Sequence, residues 1–260
     1  MGAVYIAEFL SFYSPHDTRR INQAGLRIYY ANILYTNYDY ESLKKQIGEG
    51  RYDIVVLVEF SDEHEKAMKD RFQERFPYVD RTSWSKKLAG NVVFSKYPIT
   101  NLSEHYPQEP GRRRYGYFSI QRGVPFYFYV VHTSAPVSNY NFQMRNEQLK
   151  KLKADFLAQT ADRPKDAPVV ILGDFNLSPR SAFYTQFMDG LDGKLRNIFR
   201  DYQPHFTRSL RDQKILNVHI DHVFTSPNVR VGEFWVNDLS GSDHHAITFD
   251  VAAKELLMKE

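Results

Sequence analysis

Short apolar runs rich in β-branched residues, several of them ending in a polar residue, constrain this chain more than any other feature. Asp53-Ile-Val-Val-Leu-Val-Glu-Phe and Pro168-Val-Val-Ile-Leu-Gly-Asp are near-continuous hydrophobic stretches. Runs this short and without polar alternation read as strands covered on both faces. Leu26 to Leu34, Asn91 to Ser95, Tyr115 to Gln121, Phe126 to His132, Ile220 to Thr225, Val229 to Val236 and Ala246 to Val251 bring the expected strands to nine. Arg122-Gly123 is a hairpin-like break between two of them. Helical patterns fall over 40–47, from Ser61 to just before Pro77, and over 141–158, where Phe142, Leu149, Leu152 and Phe156 mark one face. Ser61 or Asp62 is the expected cap of the second helix. A doubly wound parallel sheet needs a helix after nearly every strand, and this chain does not supply them. The expectation is an α/β architecture of two packed sheets with helices outside. It forms a single domain over 25–260, preceded by a lead-in segment over 1–24.

Composition narrows the chemistry. The absence of cysteine excludes disulfides, thiolate metal sites, iron–sulfur clusters and cysteine nucleophiles. With 34 basic and 31 acidic residues the net charge is +3, which permits a phosphorylated partner without demanding one. No stretch reaches about 18 apolar residues, the length a spanning helix needs. The opening Met-Gly-Ala-Val-Tyr-Ile lacks a cationic lead and makes a poor signal peptide. It fits a chain cut behind a membrane anchor as well as a free terminus. The compartment is therefore open: cytoplasmic, or extracytoplasmic if the N-terminus continues from an anchor. No obligate protein partner is evident.

The polar residues gather where the apolar strands end. Asn32 interrupts the first strand, Glu59 closes the second, and His132 ends the run from Phe126. Asp174 and Asn176 follow Val169-Val-Ile-Leu-Gly, Asp221 sits in Ile220-Asp-His-Val-Phe, and Asp243 and His244 precede the last strand. Strand ends at one rim of a sandwich let a rigid scaffold converge groups from distant sequence. Glu59, Asp174, Asn176, Asp243 and Asn32 are hard oxygen donors, which favour Mg2+ or Mn2+ over softer metals. Asp174 and Asn176, two apart, are expected on one face of an extended segment. A carboxylate such as Asp221 can fix a histidine's tautomer and stabilise its charged form. Metal, carboxylates and histidine together suit hydrolysis of a phosphate ester. His222 and His245 face the opposite way in extended structure and read as structural. Arg112-Arg113-Arg114 reads as a solvated loop, and Arg145, Lys150, Lys151 and Lys153 as the solvated face of the 141–158 helix.

Gly173-Asp174-Phe175-Asn176, Ile220-Asp221-His222, Ser242-Asp243-His244 and the strand-terminal Glu59 resemble, in order and spacing, the endonuclease/exonuclease/phosphatase superfamily across about residues 26–251. The pattern is most similar to bacterial members often joined to an N-terminal membrane anchor. The resemblance implies a four-layer α/β sandwich, two packed mixed β-sheets flanked by helices, and a phosphoesterase using Mg2+ or Mn2+. It makes Glu59 the principal metal ligand, with Asn32 and Asp243 at the metal site. It makes Asp174 the group that aligns or deprotonates the attacking water, and Asn176 a holder of phosphate or metal-bound water. Asp221 would orient His244, and His244 and His132 would meet the scissile phosphate. Leu34, Val58 and His205-Phe206-Thr207 depart from the pattern common among nuclease members. The first substrate expectation is a phosphodiester in nucleic acid. The alternatives are a lipid or sugar phosphoester, or a binding module on a retired hydrolase fold.

Overall fold

The computed structural model describes Ile21 and residues 25–82, 90–102, 115–158, 163–164, 166–201, 206–209 and 217–254. The lead-in over 1–24 (Ile21 apart), His205 and Arg112 to Arg114 lie outside them. In chain order the elements are β1 (Leu26–Asn32), α1 (Tyr40–Glu49), β2 (Ile54–Phe60), α2 (Asp62–Arg75), β3 (Tyr78–Thr82), β4 (Gly90–Ser95), β5 (Ile99–Asn101), β6 (Tyr115–Arg122) and β7 (Val124–His132). There follow α3 (Asn139–Ala158), β8 (Val169–Asp174), α4 (Ala182–Met188), β9 (Arg196–Asn197), a 3-10 turn (Ile198–Asp201), β10 (Arg208–Ser209), β11 (Asn217–Val218), β12 (Asp221–Thr225), β13 (Val229–Asp238) and β14 (His245–Ala253). Each strand expected from the sequence is present with small shifts at its ends. The short strands β3, β5, β9, β10 and β11 were not expected, because none carries a long apolar run.

Two six-stranded mixed sheets form, ordered β13-β14-β1-β2-β4-β3 and β5-β6-β7-β8-β12-β9. Each has one parallel pair at its centre, β1 with β2 and β7 with β8, and antiparallel neighbours elsewhere. A parallel pair needs a crossover, and α1 and α3 provide one each. Both pairs therefore deliver two strand C-termini side by side, which is what places the site.

Side-chain alternation builds the layers. Ile28, Tyr30, Val56 and Val58 meet Phe128, Val130, Val170 and Leu172 between the sheets. Tyr29, Ala31, Val55 and Leu57 face the other way, onto Leu43 and Ile47 of α1 and Met68 and Phe72 of α2. On the far side, Tyr129, Val131 and Ile171 pack against Leu149, Leu152 and Phe156 of α3 and Phe187 of α4. The result is helix, sheet, sheet, helix: the four-layer α/β sandwich. Fully burying one such aliphatic or aromatic side chain contributes ~1.5–3 kcal/mol, so the strands are fixed before any polar contact at their ends is counted. Ser61 caps α2: its side chain accepts from the His64 amide, and the His64 ring accepts from the Ser61 amide.

Candidate active site

The eight residues singled out in the sequence meet at the mouth formed by the ends of β1, β2, β7 and β8. Asn32 is the hub. Its Nδ2 donates to Glu59 Oε1 at 3.1 Å and to Asp174 Oδ2 at 3.2 Å, and lies 3.5 Å from His244 Nε2. His244 Nε2 is 3.7 Å from Asp174 Oδ2 and 4.0 Å from Asp243 Oδ1, and His132 Nε2 is 3.8 Å from Glu59 Oε1. Asn176 joins through its backbone amide, which donates to Asp174 Oδ1 at 2.8 Å.

Local backbone devices aim these groups. Simple alternation along β2 would send Glu59 toward the helices, because Val58 faces the inter-sheet core. A β-bulge between Val58 and Phe60, with Glu59 at φ 63°, inserts one extra residue against β4. Phe60 then takes the helix side, and the Glu59 carboxylate reaches Asn32 and the Tyr35 amide, which donates to Oε2 at 3.0 Å. A non-glycine residue in the left-handed region costs of order 1–3 kcal/mol, and it persists only where the surroundings over-determine it.

The Gly173-Asp174-Phe175-Asn176 motif has a separate reason for each position. Gly173 sits at φ 148°, and a Cβ there would lie 1.9 Å from the Val131 carbonyl oxygen. Only glycine lets β7 and β8 close in register, with His132 directly opposite Asp174. Phe175 is buried among the α4 aromatics. Asn176 corrects one expectation: it does not share an extended face with Asp174. β8 ends at Asp174 and Asn176 adopts φ 48°, closing an Asx turn onto Asp174. Its Nδ2 donates to the Thr133 carbonyl at 3.1 Å, tying the β8 turn to the end of β7.

His244 and Asp221 form a buried pair, with Nδ1 and Oδ2 2.8 Å apart. The other Asp221 oxygen accepts the Tyr30 hydroxyl at 2.6 Å, so both are engaged. Asp174, Asp221 and His244 cluster closely enough to hold a metal. Within that cluster Asp221 is bound to His244 and Tyr30, whereas Asp174 shares the Asn32 amide with Glu59. Burial alone would depress His244, but the Asp221 carboxylate and its hydrogen bond outweigh that and push the imidazole up to about 9. Burial would raise Asp221, yet the His244 charge and hydrogen bond, with the Tyr30 and Thr207 hydroxyls, hold its carboxyl below the usual range. Burial and then the Asp221 charge push Asp174 up to about 7. The nearby His244 charge and the Asn176 amide oppose the rise without cancelling it.

Several contributors were not read from the sequence. Tyr30 lies two residues before Asn32, on the same face of β1. Thr207 Oγ1 accepts from the Ile220 and Asp221 amides at 3.1 and 3.0 Å. Ser242 donates to the Asn32 carbonyl at 2.8 Å and accepts from the His244 amide at 3.1 Å. Arg208 pairs with Asp243 through Nε at 2.8 Å and Nη2 at 2.7 Å. Arg145 overturns the reading of a solvated helix face: it is 4% exposed, and its Nη1 donates to the Asn176 carbonyl at 2.7 Å. Lys150 does lie in solvent, paired with Glu147. His222 and His245 stay outside the site as expected, held by the Leu177 carbonyl and by Asp238 respectively.

Solved structures share this fold at low sequence identity, among them the following three. Beta toxin from Staphylococcus aureus superposes with a TM-score of 0.62 at 19% identity, over 86% of this chain and 99% of that one. TDP2 of D. rerio, solved with a single-strand DNA product, gives 0.67 at 17% identity, over 89% and 100%. An endonuclease/exonuclease/phosphatase family protein from Bacteroides thetaiotaomicron gives 0.61 at 18%, over 87% and 97%. No curated protein matches the chain in sequence. The sequence profile of one family does match, from Tyr29 to His244, and that span encloses every residue of the converged site. The chain belongs to the Endonuclease/Exonuclease/phosphatase family.

Proposed function

We propose that this protein is a divalent-metal-dependent hydrolase of phosphate esters, most at home on phosphodiesters, working by in-line attack of water. The observation that carries the reading is the convergence on Asn32 of Glu59, Asp174 and His244, brought from four strand ends. Membership of a phosphoesterase family supports the reaction class. Carboxylates crowded into a largely buried mouth, one of them pushed up toward neutrality, fit a hard cation that would relieve their repulsion. Glu59 would hold it, with Asn32 and Asp243 beside it, and Mg2+ or Mn2+ suits the donors. A cation bound there polarises the phosphoryl oxygens.

The chain's own groups have separate tasks. Asp174, steadied by the Asn176 amide and Asn32, takes the proton of the attacking water. His244, kept charged by Asp221, presents Nε2 to the phosphate and stabilises the charge that develops there. His132 and Asn176 flank the same oxygens from β7 and the β8 turn.

Two substrate classes remain in play, each with its own support. The single-strand DNA product in TDP2 supports a nucleic-acid diester. A lipid phosphodiester is favoured by the rim. Tyr35 and Tyr38 follow β1, Val137 and Tyr140 (in the first turn of α3) follow β7, Phe206 precedes β10, and all five are half exposed or more. The first test is turnover of bis(p-nitrophenyl) phosphate with Mn2+ and with chelator. Metal-dependent hydrolysis is expected, and its absence on diester and monoester alike would leave a binding module. Single-stranded oligonucleotide against phospholipid vesicles then separates the two substrates.

A further inference from the structure

The helix α3 carries a device that the catalytic assignment does not use. Arg145 and Gln148, one turn apart, face inward together and are both buried. Arg145 Nη1 donates to the Asn176 carbonyl at 2.7 Å, and its Nε donates to Asn146 Oδ1 at 2.8 Å. The guanidinium is wedged between Phe142 and Phe183, 5.0 and 5.6 Å from the ring centroids. Gln148 Oε1 accepts from the Ser134 amide at 2.8 Å, and its Nε2 donates to Ser134 Oγ at 3.0 Å. Ser134 lies two residues beyond His132. The two turns are also laced to each other: Thr133 donates to the Phe175 carbonyl at 2.6 Å, and Asn176 to the Thr133 carbonyl at 3.1 Å.

Burying a guanidinium is expensive unless a partner repays it. Among the described residues Arg145 has no carboxylate partner, and its charge is spent on a backbone carbonyl. That carbonyl belongs to a residue held at φ 48°, where the left-handed backbone needs outside support. From this geometry we infer that Arg145, with Gln148 as its second arm, is a positioning residue: it clamps the turns after β8 and β7 so that Asn176 and His132 face the phosphate together. The inference rests on the phosphoesterase reading for its kinetic consequence, but not for the clamp itself.

The test compares Arg145→Met and Arg145→Lys with Leu152→Ala, which hollows the apolar contact of the same helix but removes none of the hydrogen bonds to the two turns. On bis(p-nitrophenyl) phosphate with Mn2+, below each variant's melting point, Arg145→Met is expected to lower kcat about 10- to 100-fold with KM little changed, the scale of a misplaced reacting group. Arg145→Lys, which keeps charge but not the fork, should recover part of the loss. Leu152→Ala should keep kcat within about twofold at a comparable loss of melting temperature. Hydrogen exchange of peptides spanning 133–134 and 175–177 should quicken in Arg145→Met and stay at the wild-type rate in Leu152→Ala. Wild-type kcat in folded Arg145→Met, or equal kcat losses in Met and Leu152→Ala variants of matched stability, would overturn the clamp. If the wild type hydrolyses no ester, the functional reading fails, and exchange alone decides the clamp: unchanged protection at 175–177 in Arg145→Met would end it.

Discussion

Adjacent residues of β12 anchor two histidines in opposite electrostatic states. Asp221 points to the mouth and holds His244; His222 points to the outer layer. Both imidazoles are buried, at 4% and 0% exposure. His244 is pushed up to about 9 because a carboxylate stands 2.8 Å from its Nδ1. His222 is pushed down to about 4 by burial, against the small pull of the Leu177 carbonyl and Asp221. Its Nε2 donates to Leu177 O at 2.7 Å, its Nδ1 accepts from Asn197 at 2.9 Å, and Phe175, Tyr184 and Phe224 surround the ring. Burial is common to both, so the partner decides the charge. One imidazole carries charge at the mouth and the other stays neutral in the packed layer.

The sharpest way to break that contrast is to remove each ring in turn. His244→Ala should cost about a thousandfold or more in kcat, since it deletes a charge-stabilising donor. His222→Phe should leave kcat within a few-fold when measured well below its melting point. Comparable kcat losses in the two variants would abolish the distinction.

Replacing the shared support comes next. Asp221→Asn keeps the shape but removes the charge and can force the wrong tautomer on His244, so a loss on the order of a hundredfold or more is expected. The pH profile should lose its dependence on a raised imidazole. An undiminished rate would mean that Asp221 serves the fold alone.

Stability against pH separates the histidines in another way. His222 is harder to protonate folded than unfolded, so the unfolded state binds the extra proton and stability falls as pH drops from about 6.5 toward 4. The full loss is about 3 kcal/mol from this residue; Asp174, raised to about 7, contributes in the opposite direction over the same range, so the His222 share is read as the difference between wild type and His222→Phe in urea titrations. His244 works in the other direction. Its raised folded value gives stability that is complete below about 6.5 and lost as pH rises through 9. His244→Ala should remove the alkaline limb.

The smallest effect is expected at Tyr30, whose hydroxyl donates to Asp221 at 2.6 Å. Tyr30→Phe should cost about 1.5–3 kcal/mol of stability, the worth of one hydrogen bond to a charged group, and a few-fold in kcat. A kcat loss as large as that of Asp221→Asn would recast the hydroxyl as a direct participant.

The apolar runs made β1, β2, β7, β8, β12 and β14 legible, since uninterrupted β-branched residues have few other uses. The polar residues that close them made the site legible as a set of types. Arg145 was misread because the lysines around it belong to a solvated face, and composition cannot tell one turn of a helix from the next. Thr207 showed only as part of a departure from the nuclease pattern and Arg208 not at all, because the groups they hold lie 14 and 35 positions away along the chain.

By itself the sequence determined which segments become the nine apolar strands, that hard oxygen donors and histidines lie at their ends, and that no thiol takes part. Its periodicity is a local property, and so is the chemistry of each side chain. Only the tertiary structure decided that a bulge turns Glu59 inward, that Gly173 lets β7 and β8 close, and that Asp221 rather than burial sets the charge of His244. Those outcomes depend on contacts between residues far apart in the chain. Distance, desolvation and field at a point in space are fixed only when the layers pack.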